Sequence, residues 1–251
     1  MKKKLTWIPN TLTLGNLTLG FVSMLLVSET NPNQSNSHEL FSLAGVFIIL
    51  AALFDGFDGM AARALDATSE LGADLDSLAD LTTFGIAPGF LSYKMFFANI
   101  KMDLFDRVDL IPLGMFIAAL YPICAAYRLA RFNVAHDPKS FNGLPSPVAG
   151  VVVGIFPLVF HVSQVPVWVA TLFFITTAFL MVSTLRYSKP QVAIRGLFSW
   201  KKLGISLVGL ALVLLAISFY KWPYVLYGAV GFYVFSGIVS FIIHTIQELR
   251  V

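Results

Sequence analysis

Long apolar segments, separated by short polar ones, run along the whole chain. Each is about the length of a helix that crosses a bilayer. A tight turn from His161 to Pro166 separates the fifth from the sixth and predicts an antiparallel hairpin. We predict an all-α fold, a polytopic membrane helical bundle in a single domain over residues 1–251. The eight predicted transmembrane helices cover about 10–28, 40–64, 71–97, 110–130, 147–163, 166–186, 203–220 and 223–246.

The composition agrees with a membrane protein. Hydrophobic residues make up 57% of the chain, charged residues only 12%, and the mean hydropathy is +0.78. A soluble domain is nearer a quarter charged. The single cysteine, Cys124, excludes a disulfide within the chain and a multi-cysteine metal site.

The basic residues divide unequally between the two sides of this predicted bundle. Of the 17 Lys and Arg, four fall on the side away from the termini: Lys94, Lys101, Arg107 and Lys221. The other thirteen fall on the side of the termini. Positive residues concentrate in cytoplasmic loops, so we predict both termini in the cytoplasm and a multi-pass protein of the cell membrane. This asymmetry explains the net charge of +3, and we predict no nucleic-acid partner.

Four aspartates form two helically spaced pairs in the second and third apolar segments. Asp55 and Asp58 are three residues apart, and Asp76 and Asp80 are four apart, so each pair shares a helix face. Carboxylates in membrane segments are costly, and they indicate a functional site. Clustered carboxylates suit Mg²⁺, Mn²⁺ or Ca²⁺ rather than zinc. The alternative is that these are ordinary loop acids whose spacing is accidental, and it explains one such pair more readily than two.

Other polar positions extend the candidate site. Thr13, Asn16 and Gly20 share a face of the first segment, which is typical either of helix packing or of ligand binding. Thr83 continues the face of Asp76 and Asp80. The Gly and Pro residues over 85–89 predict a bend in the third segment.

Two arginines, Arg128 and Arg131, share a face at the cytoplasmic end of the fourth segment. They either anchor the helix at lipid headgroups or hold an anion, which would be a lipid phosphate or a carboxylate. The following stretch from Phe141 to Pro147 has one glycine and two prolines, so it cannot be helical throughout.

The aspartate pattern resembles the signature of the CDP-alcohol phosphotransferases at every defined position. The matching residues are Asp55, Asp58, Gly59, Ala62, Arg63, Gly72, Asp76 and Asp80. The resemblance implies a six-helix core over about 1–200, two additional helices over about 201–251, and a homodimer. It also implies transfer of a lipid-linked phosphate from a CDP-lipid to an alcohol, with release of CMP. Asp74 lies outside the pattern and receives no role.

The resemblance also implies roles for individual residues. All four signature aspartates would hold two divalent ions, Mg²⁺ or Mn²⁺, and Asp80 would also be the catalytic base. The nucleotide would lie near residues of the first three helices: Thr13, Asn16, Gly59, Ala62, Arg63 and Gly72.

Three stretches resemble the serine-specific branch of the family: 76–88, 124–134 and 141–147. They imply CDP-diacylglycerol as donor and L-serine as acceptor. The distribution of basic residues predicts that the active site faces the cytoplasm, among membrane lipids. Thr83, Phe84, Arg128 and Arg131 are then expected to bind the acceptor or the lipid phosphate.

Three alternatives remain open. One is another enzyme of the family that makes phosphatidylglycerophosphate, a choline or inositol lipid, or the archaeal serine lipid. The others are a carboxylate-lined cation transporter and a non-catalytic membrane scaffold.

Overall fold

A computed structural model describes residues 5–30, 36–100, 113–134, 140–188 and 223–234. Helices account for most of this part of the chain. The α-helices are α1 Trp7–Ser28, α2 Ser37–Ala64, α3 Glu70–Asp80, α4 Ala87–Ser92, α5 Leu113–Val134, α6 Ser146–Val159, α7 Val167–Val182 and α8 Pro223–Val234. Two π-helical segments, Leu81–Ile86 and Tyr93–Phe97, and a 3₁₀ turn, Val162–Gln164, complete the helical elements.

The distribution of polarity is that of a membrane protein. Three helices, α1, α2 and α5, are long and apolar enough to cross a bilayer. Large apolar side chains such as Leu71 and Phe116 are 70% and 63% exposed, whereas Asn16 is completely buried. Such a surface would be unfavourable in water but is suited to contact with lipid.

The third predicted span is one continuous helical stretch from Glu70 to Phe97, but its geometry alternates between α and π. The Ser69 hydroxyl caps its start by accepting a hydrogen bond from the Gly72 N–H at 3.1 Å. The first π segment begins directly after Asp80. The bend predicted from residues 85–89 stays a prediction, and the structure has a π segment on each side of α4. Such π segments are frequent at functional sites.

Small residues and hydroxyl groups allow the helices to pack closely. A side chain at Gly45 of α2 would collide with the Gly154 carbonyl oxygen of α6. Nearby, the Ser42 hydroxyl donates to the Pro157 carbonyl at 3.0 Å. Close backbone approach and inter-helix hydrogen bonds of this kind are typical of helix association in membranes. They bring α2 against α6, and α1 also packs against α2.

The hairpin prediction is confirmed, because α7 returns antiparallel beside α6: the Leu144 N–H before α6 donates to the Leu180 carbonyl near the end of α7 at 2.9 Å. The predicted all-α class is confirmed over the described residues, apart from one short ribbon. Strands β1, Ser140–Asn142, and β2, Arg186–Ser188, pair antiparallel in a short ribbon that the hydropathy pattern does not reveal. The predicted span 203–220 lies outside the described residues, and α8 covers only the start of the eighth, so the number of eight spans stays a prediction.

Candidate active site

Three of the four signature aspartates form a compact cluster. Asp55 projects from α2, and Asp76 and Asp80 project from α3; one carboxylate oxygen of each lies within 4.8 Å of those of the other two. Asp80 is only 6% exposed. Two like charges 4 Å apart near a protein surface repel by about 4 kcal/mol, so the cluster requires positive charge close by.

Asp58 lies outside this group of three, in contrast to the four-carboxylate site that the sequence predicts. Its Oδ2 accepts a hydrogen bond from the Thr13 hydroxyl of α1 at 2.7 Å, and the residue is 5% exposed. One helical turn separates it from Asp55, which moves it about 4.5 Å along the helix axis. Asp58 still interacts electrostatically with both Asp55 and Asp76.

The polar face predicted on α1 meets the aspartates directly. The Asn16 side-chain amide donates to Asp80 Oδ1 at 3.4 Å. The Asn16 carbonyl accepts from the Thr83 hydroxyl at 3.1 Å, and Gly20 leaves the space that Thr83 occupies. Thr13 and Asn16, predicted to lie near the nucleotide, are therefore hydrogen-bond donors that orient two of the carboxylates.

A cavity of about 170 Å³ opens on one side of Asp76. Residues of α1, α2, the turn after α2 and α3 line it: Pro9, Asn10, Thr13, Asp58, Gly59, Ala62, Ala67, Thr68, Ser69, Gly72, Ala73 and Asp76. We call it the small-residue cavity. Four residues predicted for the nucleotide, Thr13, Gly59, Ala62 and Gly72, are in its wall. Arg63 is close by, with a guanidinium nitrogen 3.7 Å from the position that a Gly59 Cβ would take.

A larger cavity of about 630 Å³ opens on the other side of Asp76. It lies between α3, α5 and the start of α6, and its lining residues are Glu70, Ala73, Asp74, Asp76, Ser77, Asp80, Arg128, Leu129, Phe132, Asn133, Pro145 and Pro147. We call it the arginine cavity. Ala73 and Asp76 line both cavities and Asp80 lines the arginine cavity, so the two cavities adjoin at the aspartate cluster.

The two arginines that share a face of α5 reach different places. Arg128 is 6% exposed, lines the arginine cavity, donates from Nη1 to the Ser146 hydroxyl at 2.6 Å, and interacts electrostatically with Asp80. Arg131 instead donates to the carbonyls of Val182 and Ser183, at 3.0 and 3.1 Å, and so caps the end of α7. These contacts give Arg131 a structural role, so Arg128 is the better candidate for binding an anion.

Thr83 and Phe84, predicted for the acceptor site, are buried in helix packing and do not line the arginine cavity. Thr83 is completely buried against α1. Phe84 is also completely buried, and a side chain at Gly150 of α6 would collide with it. The shared face with Asp76 and Asp80 does not bring Thr83 to the cavity, because α1 covers that face beyond Asp80. Residues that the sequence left without a role, Ser146 and Asn133 among them, contact this site instead.

The donor set fits a hard divalent cation. All three clustered ligand atoms are carboxylate oxygens, the type that Mg²⁺ and Mn²⁺ prefer. Asp76 Oδ1 is buried and has no hydrogen-bond partner, which is costly unless another group satisfies it. A bound cation would satisfy this oxygen and offset the repulsion within the cluster.

Comparisons with known proteins agree with this arrangement. The family model of the CDP-alcohol phosphatidyltransferases matches residues 6–182. A CDP-diacylglycerol–serine O-phosphatidyltransferase of Helicobacter pylori strain J99 is 32% identical over 241 residues, covering 93% of this chain and 90% of that protein. The enzyme of the same name from Bacillus subtilis is 32% identical over 184 residues, covering 73% of this chain and 90% of that protein.

An archaetidylserine synthase of Methanothermobacter thermautotrophicus is 31% identical over 185 residues, covering 72% of this chain and 70% of that protein. The family match starts at the beginning of α1 and ends with α7, so it includes the aspartate cluster and both cavities. The chain therefore belongs to the CDP-alcohol phosphatidyltransferase family and is a membrane phosphotransferase.

Proposed function

We propose that this protein is a phosphatidylserine synthase, which transfers the phosphatidyl group of CDP-diacylglycerol to the hydroxyl of L-serine and releases CMP. The observation that carries the proposal is the position of the aspartate cluster between two cavities of different character. A transferase needs room for a donor and an acceptor on either side of the reacting phosphorus. The names of the relatives from Helicobacter pylori and Bacillus subtilis support serine as acceptor.

The small-residue cavity suits the nucleotide end of the donor. Gly59, Ala62 and Gly72 leave space beside Asp58 and Asp76, and the diphosphate of the donor would extend from this cavity toward the cluster. Arg63, at the edge of the cavity, contributes positive charge near the nucleotide.

Asp55, Asp58, Asp76 and Asp80 would hold two divalent ions, Mg²⁺ or Mn²⁺. Bound ions would neutralise charge on the diphosphate and on the leaving CMP. Hydrogen bonds from Thr13 and Asn16 keep Asp58 and Asp80 turned toward the site. This preorganisation reduces the rearrangement that the carboxylates need on binding.

Asp80 is the proposed general base, because it belongs to the cluster and also lines the arginine cavity. As the serine hydroxyl oxygen forms its bond to phosphorus, Asp80 accepts the hydroxyl proton, and the bond from phosphorus to the CMP oxygen breaks. Arg128 holds the serine carboxylate or the lipid phosphate in the same cavity by charge-assisted hydrogen bonds.

The arrangement in the membrane is part of the proposal. Eight spans with both termini in the cytoplasm would put the turn between α2 and α3, and with it both cavities, at the cytoplasmic side. Serine and CMP, which are soluble in water, could then enter and leave without crossing the bilayer. We further propose a single membrane domain with a six-helix core, and a homodimer.

The decisive experiment is to incubate purified protein with CDP-diacylglycerol, Mg²⁺ or Mn²⁺ and one acceptor at a time, and to identify the lipid formed together with CMP. L-serine should give phosphatidylserine, whereas glycerol 3-phosphate, choline and inositol should give no more lipid than a reaction without acceptor. Lipid formed only from another acceptor would overturn the proposal.

The relative named archaetidylserine synthase motivates a second candidate, in which the donor carries ether-linked isoprenoid chains. The same assay with CDP-archaeol in place of CDP-diacylglycerol distinguishes the two donors. A kcat/KM for CDP-diacylglycerol above that for CDP-archaeol supports the phosphatidylserine synthase, and the reverse order supports the archaeal lipid.

A further inference from the structure

The stretch from Phe141 to Pro147 has a defined structure and no role in the proposed chemistry. Gly143 has φ of +84°, a conformation that glycine adopts without strain. Its N–H donates to the Leu185 carbonyl at 2.8 Å, and the next N–H, of Leu144, donates to the Leu180 carbonyl at 2.9 Å. The turn before α6 is therefore attached to the end of α7.

Arg131 strengthens the same junction from α5. It caps the last carbonyls of α7, and one of its Nη atoms would lie 3.0 Å from a Cβ placed on Gly143. Three elements, α5, α7 and the turn before α6, thus meet at one point. The position of Ser146, the first residue of α6, is set by the backbone hydrogen bonds of Gly143 and Leu144 at this junction.

The Ser146 hydroxyl faces Arg128 and does not cap its own helix. Ser146 is completely buried, and its Oγ accepts the hydrogen bond from Arg128 Nη1 at 2.6 Å. The N-cap residue of α6 is Pro145, and no side chain caps this helix end. The hydroxyl therefore binds a charged group, and charge-assisted hydrogen bonds are among the stronger ones in proteins.

Arg128 needs such a partner because of its surroundings. Its side chain is long and has many rotamers, and Asp80 and Asp55 attract its charge. A guanidinium that turned onto these carboxylates would occupy groups that are required for the ions and for the proton transfer. Two interactions hold the guanidinium at the cavity wall. One is the hydrogen bond to Ser146, and the other is with the Phe132 ring, whose centroid lies 5.7 Å from Arg128 Cζ.

We propose that Ser146 is a positioning residue, whose hydroxyl holds the Arg128 guanidinium at the wall of the arginine cavity, facing the anionic group of a bound substrate. The inference rests on the proposed function, in which Arg128 binds that anionic group. The Phe141–Pro147 stretch would then affect substrate binding through Arg128.

The test compares Ser146→Ala with Ser23→Ala. Ser23 is a matched control, because it is also completely buried, its hydroxyl donates to the Ala44 backbone carbonyl, and neither residue lines the small-residue or the arginine cavity. Ser146→Ala should raise one KM, for serine or for CDP-diacylglycerol, about tenfold, and the same KM should rise in Arg128→Lys. Ser23→Ala should leave both KM values within about twofold of wild type, although its melting temperature falls.

Ser146→Cys tests the same point with a side chain of nearly the same shape and weaker hydrogen bonding, in case the alanine variant folds poorly. The effects of Ser146→Ala and Arg128→Lys should combine to less than the product of the single effects, because both act on one interaction. Unchanged KM values in the Ala and Cys variants, or full multiplication of the two effects, would overturn the inference.

All variants are assayed with the acceptor that the wild-type protein uses. If that acceptor is not serine, the proposed function fails, while the Ser146 comparison can still be made. If it is serine and Ser146→Ala binds both substrates normally, only the inference about Ser146 fails.

Discussion

The two cavities on either side of Asp76 differ in how their walls are built. Small and hydroxyl-bearing residues of α1, α2, α3 and the turn between α2 and α3 form most of the small-residue cavity. The arginine cavity is more than three times larger in volume, about 630 Å³ against about 170 Å³, and has charged residues from α3 and α5 in its wall. The first can select a ligand by the space that missing side chains leave, and the second can select by charge.

This difference has a functional consequence for a transferase with two substrates. Substitutions in the small-residue cavity should affect the donor, and substitutions in the arginine cavity should affect the group that Arg128 binds. The aspartates between the cavities should affect the reaction itself. Kinetic constants measured separately for donor and acceptor can therefore confirm or refute the division.

The largest effect is expected at the boundary between the cavities. Asp80→Asn and Asp55→Asn should each lower the rate of CMP release about 10²- to 10⁴-fold at any Mg²⁺ or Mn²⁺ concentration. Each variant loses a charged metal ligand, and Asp80→Asn also loses the general base. Asp66→Asn is the matched control: Asp66 is exposed in the turn between α2 and α3 and lines neither cavity, so the activity of this variant should stay within about threefold of wild type. Near-normal activity of Asp55→Asn would refute the metal-site assignment.

An intermediate effect is expected from the two arginines. Arg128→Ala should raise KM for serine or for CDP-diacylglycerol about 10- to 100-fold, through loss of charge-assisted hydrogen bonds. Arg131→Ala should leave both KM values nearly unchanged and lower the free energy of unfolding by about 1–3 kcal/mol, because it removes donors from the end of α7. Steady-state kinetics and thermal unfolding in detergent measure the two quantities. If both variants raised the same KM to the same extent, the two arginines would not have the different roles proposed here.

A smaller effect is expected from filling the small-residue cavity. Gly59→Leu should raise KM for CDP-diacylglycerol about tenfold and leave KM for serine unchanged, because the new side chain occupies space beside Asp58. Gly56→Leu is the control on the same helix, since a side chain there would meet no atom within 4 Å. Steady-state kinetics with each substrate varied in turn provide the comparison. If Gly59→Leu changed only the serine KM, the nucleotide would not lie in this cavity.

The spacing of polar residues predicted much of the site but not its details. Asp76 with Asp80, and Thr13 with Asn16, lie on shared helix faces as the helical repeat predicts, and both faces contribute to the site. Spacing alone predicted the same environment for Arg128 and Arg131. The structure separates them, because the last carbonyls of α7 lie next to Arg131 and the Ser146 hydroxyl lies next to Arg128.

The sequence by itself determined the apolar helices, the helix faces that carry aspartates and the family. These depend on hydropathy and on the helical repeat, which are properties of short stretches of chain. Tertiary structure decided that Asp58 stands apart with Thr13, that Thr83 and Phe84 are buried, and that β1 pairs with β2. These features depend on which helix packs against which face and on which backbone groups need a partner there, and a local pattern contains neither.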